Sequence, residues 1–459
     1  MLKDAKIHLA KYAPPPPHLP IYQQVDPRDV SFIGRTNYEA PGESNQFVFG
    51  IRRKDRKRHV YIVGKTGVGK SKLFELFMRQ DITYGHGLCL IDPDGDLVQA
   101  MLDVIPEERI KDVVVLDPTD ADWPVSFNPL VGVPAEFRHQ AAQGFIEIME
   151  KQFGAQWSHR IEHSLRMALL ALLDYPEATL QAVIPLFTDS AFRAKVIAHI
   201  SDDLVKRFFE IEFDDWAFKF EQDAITPITN AISKFLAIPA IRNIFVQKEN
   251  KIHIDDIIAR RGILLVNLSK GKLGEQNGNL LGSLVMNRIR QAGMARLDLP
   301  DDPAFAKASE GKFKDFYLYL YEFHSVMAGS FMNLFSEARK YGFNITVAHQ
   351  YIAQIDPAVL AVVLGNVGTI IVFRVGGEDA EKLEVEMTPV FKAKDIINLA
   401  TREFYIKETI DGEVYDPFSA ETLTVLPLPY DSGKEKIIGA SRKTYAMPLE
   451  RVKELYYGA

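Results

Sequence analysis

An α/β fold with a mostly parallel sheet, interrupted by an all-α segment, is what the sequence predicts. Three observations predict it: short apolar runs bounded by glycine and proline, a glycine-rich motif set between one such run and a helix, and a long middle stretch whose apolar spacing is helical.

Taken in order, residues 1–45 contain Pro14-Pro15-Pro16-Pro17 followed by His18-Leu19-Pro20. They predict a stiff polyproline II arm with no packed core, of the kind that reaches a neighbouring subunit. Residues 46–134 open the sheet. Residues 47–51 read as a strand, and residues 52–58 (RRKDRKR) as a charged turn, solvated or, alternatively, a nucleic-acid patch. Strands follow at 60–63, 87–91 and 113–116, with a helix from Lys70 and an acidic turn Asp92-Pro93-Asp94-Gly95-Asp96. From 135 to 255 the periodicity is helical, as in EHSLRMALLALL (162–173), which predicts an inserted all-α domain. Residues 256–420 return to the sheet, with strands at 262–268, 316–321, 344–348 and 369–373, helices at 280–295 and 334–340, and a polar insertion at 300–314. A proline-containing tail, 421–459, ends in an amphipathic helix at 448–457.

Composition narrows the function classes. The chain has 459 residues, 47% of them hydrophobic, enough for ordinary cores without staples. A net charge of −7 means that any nucleic acid must be met by a local basic patch. The single cysteine, Cys89, excludes an internal disulfide framework and reads as core. The first ten residues show no secretory signal. The most lipid-like stretch, 358–373, carries Gly365, Asn366 and Gly368 midway, which predicts helix end, turn and buried strand rather than a membrane span. The protein is expected in the cytoplasm, with any attachment to the inner membrane made through partners.

The chemistry centres on Gly64-Lys65-Thr66-Gly67-Val68-Gly69-Lys70-Ser71, which matches G-x-x-x-x-G-K-[ST] between a predicted strand and a predicted helix. Glycines let backbone N–H groups curl around a phosphate, Lys70 reaches the β/γ oxygens and Ser71 can hold Mg²⁺. The implied ligands are ATP and Mg²⁺. Such a site needs a second strand that brings carboxylates to the metal and to the attacking water. The run FYLYLYE supplies Glu322 as the base, yet places Tyr321 where an aspartate is expected. Three consequences stay open: Glu322 with Ser71 and waters suffices, Asp92 supplies the lost charge at the metal, or turnover is slow. Gln350, at the tip of the next strand, is the expected sensor of the γ-phosphate. Arg339, and after it Arg374, is the expected charge stabiliser from an adjacent subunit. His159-Arg160-Ile161-Glu162-His163 fits H-x-x-E-H, but it is set aside as a chance pattern in a helix without a further acid. Asn267-Leu268-Ser269-Lys270 is not a guanine-reading motif.

The segments GIRRKDRKRHVYIVGKTGVGKS, LIDPDGDLV, FNPL, ILLVNLSKGKLGEQNGNLLGSLV, YEFHS, EARKYG and AHQYIAQ, in this order, resemble the coupling ATPases of conjugative transfer and type IV secretion, the TraG/TraD kind within the FtsK–HerA superfamily. The resemblance runs from about residue 47 to 420. It implies a RecA-like P-loop motor interrupted by an all-α domain, a homo-hexameric ring, and ATP-driven movement of DNA, single- or double-stranded, with secretion-system or relaxase-type protein partners. By motif it gives Lys70 and Ser71 to nucleotide and Mg²⁺, Glu322 to water activation, Gln350 to sensing and Arg339 to action in trans. Tyr321 departs from the family's aspartate, and the chain shows no N-terminal membrane helices. The alternatives are a weakly hydrolysing, nucleotide-gated scaffold and a protein-exporting ATPase.

Overall fold

The computed structural model describes residues 11–39, 46–297, 313–327, 329–427 and 432–457. The predicted polar insertion falls almost wholly outside the described residues, as do the first ten residues and 40–45 of the predicted arm.

The strands are β1 (Val30–Thr36), β2 (Val48–Arg52), β3 (Val60–Val63), β4 (Gly87–Asp92), β5 (Val113–Leu116), β6 (Ile263–Asn267), β7 (Phe316–Tyr321), β8 (Phe343–His349), β9 (Thr369–Val372), β10 (Glu403–Ile410), β11 (Glu413–Val414) and β12 (Phe418–Thr422). They form one sheet in the order β2-β1-β12-β10-β9-β3-β8-β7-β4-β6-β5, with β11 paired to β10. From β9 to β5 every neighbouring pair is parallel; from β9 to β2 every pair is antiparallel. The parallel strands read as unbroken apolar runs because both of their faces are covered. Alternation then sorts the side chains: Tyr61, Val63, Cys89, Ile91, Leu318 and Leu320 enter one core, Val60, Ile62, Leu88, Leu90, Tyr317 and Tyr319 the other. Cys89 is buried, and burial raises its thiol pKa, as expected of a core residue.

The helix α1 (Arg53–Arg56) follows β2 directly, while α2 (Lys70–Thr83) and α3 (Asp96–Val104) pack on the second face. Between β5 and β6 the described chain is helical, beginning with α4 (Arg138–Phe153) and α5 (His159–Asp174). These helices bury their apolar stripes against the first face, continuous with its core. Ser158 starts α5 by accepting from the Ile161 N–H. The two-residue turn between β10 and β11 uses Asp411 (φ 53°) and Gly412 (φ 92°), the left-handed pair that matches hairpin twist.

Two expectations are corrected, and the packing of the tail, which the sequence leaves open, is given. The described part of the arm does not stand away from its own chain: residues 30–36 are β1, Ala13 and Leu19 are buried, and Tyr405 donates to the Lys11 carbonyl at 2.9 Å. Residues 20–22 lie along β2, where Tyr22 N–H donates to Val48 and Gly50 N–H to Pro20. The charged turn is neither solvated nor a nucleic-acid patch throughout, because Arg53, Asp55 and Arg56 of α1 are buried. Their partners are distant in sequence, which is why the charge run misleads. The tail packs on its own chain as well. The helix Lys434–Tyr445 lies along β5, with Ser441 Oγ accepting from the Val115 N–H at 2.9 Å, and the last helix, Leu449–Tyr457, sits on the helical segment, where Tyr457 donates to Asn243 at 3.0 Å. Among the described residues no single helix is long and apolar enough to cross a membrane.

Candidate nucleotide-binding site

The glycine-rich motif is the turn from β3 into α2, at the edge where the parallel strands end, the usual place for a ligand in an open α/β sheet. Gly67 and Gly69 have φ of 78° and 126°, conformations that side chains resist. A Cβ on Gly64 would stand 2.5 Å from that of Phe373. The loop is hung from neighbouring strand ends: Lys65 N–H donates to the Arg374 carbonyl at 2.9 Å, and Arg402 N–H to that of Val68 at 2.9 Å. Its crest, residues 65–67, is exposed, while Lys70 is buried and donates to the carbonyls of Gly64 (2.5 Å) and Lys65 (3.1 Å). Burial lowers the pKa of Lys70 and the nearby Glu322 opposes this.

β7 delivers the facing residues. Tyr317, Tyr319 and Tyr321 share one face by the two-residue period, and Tyr321 OH lies 2.7 Å from Ser71 Oγ. Burial raises the Tyr321 phenol to about 12, so it is a neutral hydroxyl. The next residue, Glu322, turns out of the strand with φ 48° and ψ 52°, a left-handed backbone rare for a side-chain-bearing residue and frequent at functional sites. Its side chain is buried, and neither carboxylate oxygen has a partner in hydrogen-bond geometry among the described residues. Burial pushes the Glu322 carboxyl up, against the pull of Lys70 and the nearby Gln350 amide.

Gln350 follows β8, and its Oε1 accepts from Thr66 on the crest of the loop at 3.0 Å. His349, before it, is fixed by Tyr61 (2.5 Å to Nε2) and the Tyr351 carbonyl (3.1 Å from Nδ1); burial lowers its pKa to about 3. The structure therefore brings Lys70, Ser71, Glu322 and Gln350 to one edge. Asp92, expected at the metal, is engaged otherwise: its Oδ1 accepts from Asp94 N–H and its Oδ2 from Leu97 and Val98 N–H, which caps α3. Asp94, two residues on, is exposed; behind the effect of burial, Asp92 and Asp94 both raise the pKa of Tyr321, and Asp94 also that of Glu322. The sequence contained that signal in Asp92-Pro93-Asp94, but not which carboxylate the helix start would claim. Arg374 borders the glycine-rich loop in its own chain. Arg339 is exposed ahead of β8, beside His59 at the opposite ends of the strands, so within one chain it does not reach the site.

A divalent ion suits the donors near Ser71. Among the described residues no group of three or more His, Cys, Asp or Glu could hold one alone. His163 of the zinc-like pattern instead packs against Phe208 and Trp216.

Residues 49–270, just under half of the chain, match the family model described as "Helicase HerA, central domain". Among solved structures, the chain is similar to the bacterial conjugative coupling protein TrwB in an unbound form (TM-score 0.57, 12% identity, 84% of this chain and 88% of that chain). It is also similar to the plasmid coupling protein TrwB in complex with ADP and Mg²⁺ (0.57, 12%, 82% and 88%) and to VirB4 of Thermoanaerobacter pseudethanolicus (0.53, 12%, 86% and 97%). No curated protein matches the chain significantly in sequence. The fold is that of RecA-like P-loop NTPases; the likeness to the coupling proteins is one of fold, and the similarity to the HerA model is confined to residues 49–270.

Proposed function

We propose that this protein is an ATP-hydrolysing motor of the conjugation and type IV secretion coupling type, which moves DNA through a homo-hexameric ring. The single observation that carries the reading is Glu322: a buried carboxylate without a hydrogen-bond partner in geometry, aimed from a strained backbone toward the edge that holds Lys70 and Gln350. The glycine-rich loop, Gly64 to Ser71, binds the triphosphate, and Lys70 turns from its loop carbonyls to the β/γ oxygens. Glu322 takes a proton from water as the oxygen attacks the γ-phosphorus, the bond from that phosphorus to the β–γ bridging oxygen breaks and ADP leaves with its electron pair, and Gln350, already on Thr66, registers the γ-phosphate. Mg²⁺, when bound beside Ser71, neutralises charge on the phosphates. Arg339, exposed and away from its own site, serves a neighbouring subunit. Support for this reading comes from the HerA-type match and from a TrwB relative crystallised with ADP and Mg²⁺.

In this reading residues 46–134 and 256–420 form the motor and 135–255 the inserted all-α domain that meets DNA or protein partners. The chain works in the cytoplasm and reaches the inner membrane through secretion-system or relaxase-type partners. Purified protein is expected to hydrolyse ATP faster with DNA, and Lys70→Ala to abolish that stimulation, while light scattering with ATP and DNA gives the mass of a six-membered ring. DNA-independent turnover that survives Lys70→Ala would sink the reading. A pull-down that retains protein cargo and no DNA would favour export of protein.

The Tyr321–Ser71 contact favours a second reading, a scaffold that binds ATP and hydrolyses little. Tyr321→Asp separates the two. With Glu322 and Ser71 sufficient, kcat is expected to change by less than about ten-fold; a rise of about a hundred-fold or more from almost nothing, the size of a general-base contribution, would establish the scaffold.

A further inference from the structure

Two residues beyond Glu322, the short turn Phe323–Ser325 holds a partly buried histidine whose Nδ1 has an open valence. His324 Nδ1 stands 3.6 Å from Glu322 Oε2, with side chains 16% and 5% exposed, and among the described residues neither atom has a hydrogen-bond partner. Leaving both unpaired is costly, and a small approach satisfies both at once. The turn is set for it. Ser325 donates to the Glu322 carbonyl through N–H (3.1 Å) and Oγ (2.8 Å), and Phe323 is clamped against the rings of Phe331 and His349.

We infer that His324 is a positioning residue for Glu322: its neutral ring donates Nδ1–H to Oε2 and aims the carboxylate at the attacking water. This rests on the reading of Glu322 as the base. The charged groups around the pair are Lys70, Asp94 and Lys270 toward Glu322, and Lys270, Glu275 and Lys151 toward His324. Burial, helped by Lys270, holds the ring to about 4, so at neutral pH it donates one hydrogen bond and forms no ion pair that would blunt the base. Lys151, on α4, also donates to the Met327 carbonyl at 2.5 Å, so the helical segment touches this same turn.

The test compares His324→Ala, His324→Asn and Glu322→Gln in the full chain. In His324→Ala the ATPase rate is expected to fall roughly ten- to a hundred-fold, the range for outer partners that orient a reacting group, with unchanged affinity for a fluorescent ATP analogue. The acid limb of its pH–rate profile is expected to move to higher pH, because a donor that favoured the charged carboxylate is gone. Asparagine, which keeps an N–H donor, restores most of the rate. A His324→Ala enzyme with native rate and native acid limb, beside an inactive Glu322→Gln, overturns the positioning role alone. So does an asparagine variant as impaired as the alanine one. A fully active Glu322→Gln overturns the base reading itself.

Discussion

Replacing Asp81 by asparagine is expected to destabilise the protein by about 3–5 kcal/mol, the range for removing one partner of a buried ion pair. Asp81, on α2, has a fully buried side chain that accepts from Arg53, from Arg56 Nη1 (2.9 Å) and from the Tyr319 hydroxyl. Arg56 is itself enclosed: its guanidinium lies 4.1 Å from the Tyr317 ring centre and 4.7 Å from that of Phe77, and Nη1 also donates to Ser31 at 2.8 Å. One carboxylate thus neutralises part of two desolvated cations and joins β1, α1, α2 and β7 behind the glycine-rich loop. An amide keeps the shape and removes the charge, which leaves both guanidinium groups uncompensated. Urea unfolding measures the loss, and a change below about 1 kcal/mol, the worth of an exposed pair, would show that solvent reaches the cluster.

The same acid has a pH signature. Burial alone would push the Asp81 carboxyl up, but Arg56 and Arg53 outweigh it and hold the pKa below the ordinary value. A depressed native pKa contributes stability that is complete above the unfolded value, about 3.9, and is lost as pH falls through the native one. The Asp81→Asn protein is therefore expected to lose less stability than the native protein below about pH 4.

Glu322→Gln is expected to lower kcat for ATP about 10²- to 10⁴-fold, the usual contribution of a positioned general base. Glutamine is isosteric, so nucleotide affinity should persist while turnover stops. The sign of the native pH dependence follows from burial: the Glu322 pKa lies above the ordinary glutamate value, so the acid limb of the rate profile should lie above it too, and should disappear in the variant. Steady-state kinetics from pH 4 to pH 9 check both. Retained turnover with a shifted limb would assign the base to another acid at this edge, Asp94 first.

Much of the parallel half of the molecule was legible because burial on both faces leaves little choice of residue. VYIV, VVVL and the run around Ile263–Asn267 appear where expected, and the glycine-rich motif lies between β3 and α2 as its spacing requires. The antiparallel half was less legible. β10 and β12 were not singled out, and β1 was taken for part of an arm, since a short strand is recognised by its neighbour and the neighbours here are remote: β1 pairs with β12 through Gly34 and Thr422. Charges failed for the same reason. Arg53 and Arg56 look solvated until Asp81 and the tyrosines of β7 are placed around them. At the site the carboxylates could be found but not distinguished, because Asp92 and Asp94 differ only in which one meets the first N–H groups of α3.

The two ends of the sheet carry a consequence for assembly. Residues 20–22 occupy the outer side of β2, and the helix Lys434–Tyr445 shields β5. At those positions the Val48 carbonyl and the Gly50 and Val115 amides are already engaged within the chain, so in the proposed ring a neighbouring copy would not extend the sheet there and would meet this one elsewhere.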